Sequence, residues 1–79
     1  MSLSKQIRME KYLRKYIGAE IKSHMDGFSM SITELSSKTG LSKNYISELI
    51  NGKKSPSLTT LCRLAVALKT EPEWLIGVA

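Results

Sequence analysis

Between Met30 and Gly52 the chain carries two helix starts and two helix stops, and this punctuation constrains the fold more than any other feature. Ser31-Ile32-Thr33-Glu34 has the form of a capping box. The Ser31 hydroxyl can accept from the N–H of Glu34, while the Glu34 carboxylate returns to the N–H of Ser31. Met30 before the cap and Leu35 at the fourth helical position complete a hydrophobic staple. A helix starting at Ile32 then lasts about eight residues, because Gly40 supplies the left-handed conformation that suits a C′ position. Ser42 starts the next helix as an N-cap, with Leu41 and Ile46 as a second staple. That helix is predicted over 43–51 and ends at Asn51-Gly52. Only Gly40, Leu41 and Ser42 separate the two helices. So short a connection containing Gly makes them cross steeply, which is helix-turn-helix geometry.

The flanking sequence is punctuated in the same way. An apolar stripe of Leu13, Ile17, Ile21 and Met25 predicts a first helix from about Ser4 to Met25, although Gly18 interrupts the pattern. Its first half is basic, with Lys5, Arg8, Lys11, Arg14 and Lys15, and reads either as a solvated face or as an arm that touches DNA phosphates. Asp26 to Ser29 is a turn. After the basic loop Lys53-Lys54-Ser55-Pro56, Ser57 caps a fourth helix that turns Leu58, Leu61, Leu64, Ala65 and Leu68 to the core, with Cys62 beside them. Thr70-Glu71-Pro72-Glu73 reads as a third capping box, opening a short fifth helix from Glu71 to about Ile76 with Trp74 in the core. Strand signals are missing, since no sustained period-2 alternation lies between turn residues. The expectation is one all-α domain spanning 1–79, with an N-terminal extension over 1–16 and the helix-turn-helix at 32–51.

Charge and composition narrow the function classes. Lys and Arg outnumber Asp and Glu by 12 to 7, which favours an anionic partner, with nucleic acid ahead of a membrane surface. No apolar run approaches a membrane span, and the N-terminus lacks a signal peptide's layout. The single cysteine excludes an intramolecular disulfide framework and fits a reducing, cytoplasmic setting. His24 has no second His, Cys or Asp at metal-ligand spacing, and neither a nucleophile-base signature nor a phosphate-cradling glycine loop is present. No enzyme activity, metal or cofactor is expected.

From Ile17 to Ile76 the sequence resembles the lambda-repressor-like family, also called the XRE or Cro and repressor type. The residues carrying the resemblance are Ile17-Gly18 and Ile21, the run from Glu34 to Ser42, Tyr45 to Leu49, Asn51-Gly52-Lys53, and Pro56-Ser57 with Leu58, Leu61, Ala65 and Leu68. Trp74-Leu75-Ile76 is similar to the closing helix of many phage repressors. The resemblance implies a compact five-helix bundle whose third helix enters the major groove of double-stranded DNA. It implies backbone contacts from Asn51 and Lys53, and a phosphate site at Ser42, where the free N–H groups of a helix N-terminus suit anions. The family often has Gln at the first position of helix two; Ile32 stands here and removes one such contact. Where many members pair an Arg with a Glu, this chain has Met25 and Ile50.

The residues themselves support base reading. Lys43, Asn44, Ser47 and Glu48 lie opposite Ile46 and Leu49 on helix three. Lys donates to guanine O6 and N7, Asn pairs with adenine N6 and N7, and Glu accepts from cytosine N4. Lys54 is expected to help hold the DNA backbone, and Tyr45 either does the same or packs partly into the core. Ile76 and Val78 are apolar at the end of the chain, so they are candidates for a homodimer interface. The expected function is a sequence-specific transcriptional regulator, a repressor reading a near-palindromic operator. Alternatives are an antitoxin that binds a partner protein and its own operator, and a restriction-modification controller protein.

Overall fold

The computed structural model describes residues 2–77. Those residues form five helices: α1 (Leu3–Gly27), α2 (Ile32–Thr39), α3 (Lys43–Ile50), α4 (Leu58–Ala67) and α5 (Pro72–Ile76). The expected N-caps are made at the start of α2, α3 and α4: Ser31 accepts from the Glu34 N–H, Ser42 from the Tyr45 N–H and Ser57 from the Thr60 N–H, each at 3.1 Å. The Glu34 carboxylate also accepts from the Ser31 N–H at 3.5 Å, which closes the capping box.

Three helices end alike. The N–H of Met30 donates to the Met25 carbonyl at 2.8 Å, that of Lys53 to Glu48 at 2.9 Å and that of Thr70 to Ala65 at 2.9 Å. Each such bond closes a Schellman motif around a left-handed residue: Ser29, Gly52 and Lys69 respectively. The sequence offered a glycine at only one of the three.

α1 packs on α3 and α5, α2 on α3 and α4, and α4 on α5. Their shared core is built from Ile21, Met25, Leu35, Ile46, Leu49, Leu64, Leu68 and Leu75, with Leu61 and Ala65 at its margin. Ile50 and Ile32 are partly buried against it, so the apolar residues at these two positions have a packing role. No helix is long and apolar enough to cross a membrane among the described residues.

Several expectations need correction. Cys62 is exposed rather than a core residue. Leu58 is 81% exposed, and Val66 shares its face. The cause is helical period: residues 61, 64, 65 and 68 cover the one face of α4 that meets α2 and α5, while 58, 62 and 66 follow each other on the outer face. Trp74 is 54% exposed because the adjacent Leu75 takes the single inward position of a five-residue helix. Leu13 leaves the stripe of α1. A four-residue repeat drifts by about 40° per step against the helical period of 3.6, and α1 extends beyond the bundle there. Thr70 does not cap α5. Its N–H closes α4, and the N-cap of α5 is Glu71, which makes no side-chain capping bond.

Gly18 does not interrupt α1. It is buried, and a Cβ there would collide with the backbone carbonyl oxygens of Leu49 and Ile50. The missing side chain lets α1 lie directly against the end of α3.

Candidate nucleic-acid interface

The α2–α3 turn holds the proposed recognition helix by polar contacts that its spacing alone did not reveal. The Thr39 hydroxyl donates to the Leu35 carbonyl at 2.7 Å and accepts from the Leu41 N–H at 3.1 Å. The Ser36 hydroxyl donates to the Leu41 carbonyl at 2.6 Å. Both polar groups of the Leu41 backbone are therefore paired inside a turn of three residues, with Gly40 in the left-handed region at φ 77°. Leu35, Ile46 and Leu49 fill the angle between the helices.

The outer face of α3 carries the predicted base readers. Lys43 and Asn44 are exposed, and Ser47 and Glu48 are half-buried, opposite the buried Ile46 and Leu49. Asn44 Nδ2 donates to Glu48 Oε1 at 3.4 Å. That bond leaves the second amide hydrogen and Oδ1 of Asn44 for an adenine edge, and it gives the Glu48 carboxylate a local donor. Asn51 Nδ2 approaches Ser47 Oγ at 3.5 Å, so two of the predicted DNA contacts are tied together along one helix edge.

The predicted backbone-contacting residues fall at the two ends of α3. Ser42 stands at its N-terminus, with its hydroxyl already engaged as the cap. Asn51, Lys53 and Lys54 are exposed past its C-terminus. Tyr45 is half-buried and packs against the core, the second of its two expected places. Of the two expected dimer residues, Ile76 is half-buried at the end of α5 and Val78 lies outside the described residues.

One cation of the basic run in α1 lies near this site. A Cβ at Gly52 would sit 3.0 Å from Lys15 Cγ, so the stem of Lys15 lies over the start of the basic loop. Glu10, Leu13, Arg14 and Ile17 flank Ser55 and Pro56 farther along the same loop. The signal was present as a basic run in α1, but no local pattern linked that run to a loop nearly forty positions away.

The arrangement presents hydrogen-bonding side chains on a narrow helix ridge, with lysines beside it. It can enter a groove about 12 Å wide and neutralise phosphates along its rim.

Comparison with known proteins agrees with this geometry. The ImmF control region 10 kDa protein of Bacillus phage phi105 is 33% identical over 57 residues, which are 72% of this chain and 63% of that protein. The chain thus matches a little under two thirds of that relative's length. The crystal structure of the restriction-modification controller protein C.AhdI from Aeromonas hydrophila superposes with a TM-score of 0.76 at 26% identity, covering 78% of this chain and 94% of that one. The helix-turn-helix family matches residues 21–75, most of the chain and all of α2 and α3, and the protein belongs to that family.

Proposed function

We propose that this protein is a DNA-binding transcriptional regulator that lays α3 in the major groove and reads a short operator as a homodimer. The observation that carries the reading is the polar ridge of Lys43, Asn44, Ser47 and Glu48 on a helix whose other face is locked into the core. Ser42, Asn51, Lys53 and Lys54 position the helix on phosphates, and Lys15 adds to the same rim. A twofold dimer through the α5 end, with Ile76 and Val78 at the contact, would set two recognition helices about 34 Å apart and call for a near-palindromic site.

Operator sequences selected from a random DNA pool provide the test. Replacing Asn44 and Glu48 with Ala should relax sequence preference, with each lost base contact worth about 1–3 kcal/mol of discrimination. Replacing Lys53 and Lys54 with Ala should weaken binding to every sequence and reduce the salt dependence by about one counterion per lost contact. A uniform loss from both pairs would remove the assignment of base readers.

Control of a restriction-modification system is a second reading, favoured by the similarity to C.AhdI over nearly all of that protein. The genes beside this one would separate it from a phage-type repressor.

A further inference from the structure

Among the described residues, nothing covers the first part of α1. Every residue from 2 to 13 is exposed, and these include Leu3, Ile7, Met9, Tyr12 and Leu13. A helical stretch this short is marginal in water by itself, and its large apolar side chains mark an interaction surface. Met9, Tyr12, Leu13 and Tyr16 follow the spacing i, i+3, i+4, i+7, so they form one edge. Lys5, Arg8, Met9, Tyr12 and Leu13 line one shallow groove. Tyr12, Leu13, Tyr16, Ile76 and Gly77 line the next. Tyr12 and Leu13 belong to both, so the apolar edge passes from the extension onto the end of α5 without a break.

We propose that this edge is covered by a second copy of the chain, the extension of each protomer lying along α5 of the other. The contact deepens the homodimer reading, because it is continuous with Ile76, and it brings the N-terminal extension into the interface. Charge selects this pairing over extension against extension. The extension carries Lys5, Arg8, Lys11 and Arg14 against Glu10 alone, so two extensions side by side would repel. α5 and its cap carry Glu71 and Glu73, both exposed, and no basic residue, with the exposed Trp74 next in the chain. Extension on α5 therefore meets apolar with apolar and basic with acidic. DNA phosphates would satisfy the lysines and arginines but leave Met9, Tyr12 and Leu13 in water.

Sedimentation equilibrium of the full chain, without DNA, tests the contact. The parent should dimerise with concentration. Met9→Asp with Leu13→Asp should raise the dimer Kd by about tenfold or more, while far-UV circular dichroism still shows a folded helical protein. Lys5→Glu with Arg8→Glu should weaken the dimer, as should Glu71→Lys with Glu73→Lys, and combining all four should restore it. A monomeric parent overturns the proposal. So does a dimer indifferent to Met9 and Leu13, or a four-residue charge exchange weaker than either half. If Lys5→Glu with Arg8→Glu leaves the dimer intact but lowers binding to all DNA, the extension is a DNA arm and the proposal is wrong. Fluorescence anisotropy on a single half-site keeps the two readings apart: a dimer that responds as described but binds no DNA upholds this contact and ends the regulator reading.

Discussion

Gly18 shows how much a single position decides here. Alanine is worth about 1 kcal/mol more than glycine within a helix, so propensity alone favours Gly18→Ala. Its Cβ would meet the carbonyl oxygens of Leu49 and Ile50, which are backbone atoms and cannot rotate aside. Forced shifts in a packed interior cost about 1–3 kcal/mol. Gly18→Ala is therefore expected to lower stability by up to about 2 kcal/mol, read as a lower urea midpoint. A midpoint at or above the parent's would mean that α1 can withdraw from α3 at little cost. The same displacement would tilt α3, so the variant should also bind operator DNA less tightly. Asn44 and Glu48 illustrate the opposite case, because their mutual bond lies on the surface, where the proposed function assigns it to recognition and not to folding.

At the scale of elements, the helices are short and depend on how they end. Their N-terminal signals were legible because a Ser hydroxyl two or three residues before the N–H it accepts from is a local matter. The C-terminal signals were less so. Gly52 announced the end of α3, whereas Ser29 and Lys69 adopt φ of 51° and 54° without glycine's freedom. A left-handed residue with a side chain costs about 1–2 kcal/mol, partly offset because glycine has more chain entropy to lose, about 0.5–1 kcal/mol. Lys69→Gly should then raise stability by about 0.5 kcal/mol, visible as a small upward shift in thermal midpoint. A downward shift would show that the Lys69 side chain contributes more than its backbone strain costs. The α2–α3 turn is held differently, by Thr39 and Ser36 hydroxyls on the Leu41 backbone. Those bonds set the angle at which α3 is presented, and no spacing rule names them.

On the scale of the whole molecule, residues from all five helices share one core, and Met25 sits within it at 2% exposure. Met25→Arg would bury a charge without a partner and should cost on the order of 3 kcal/mol. That is a large share of the roughly 5–15 kcal/mol that holds a domain folded. Urea unfolding followed by far-UV circular dichroism and by the fluorescence of Trp74 should move together in this variant, since α5 shares the core through Leu75. Separated transitions would mean that α5 melts independently. The molecule measures 40 Å along its longest axis, close to the ~37 Å expected for a straight helix of α1's length, so the unpacked extension of α1 sets its shape.

The helix count, the N-caps of α2, α3 and α4, the three-residue turn and the polar ridge of α3 were all readable from the sequence. Each depends on residues within one or two helical turns of one another, where periodicity and capping chemistry operate. Which side of α4 is buried was not readable, because Leu58, Cys62 and Val66 are as apolar as the residues that point inward, and only the neighbouring helices choose between two apolar faces. Trp74 yielded to Leu75 for the same reason. The approach of α1 to α3 at Gly18 and the placing of Lys15 beside Gly52 join residues far apart in the chain. Such contacts exist only once the core has closed, so tertiary packing alone decided them.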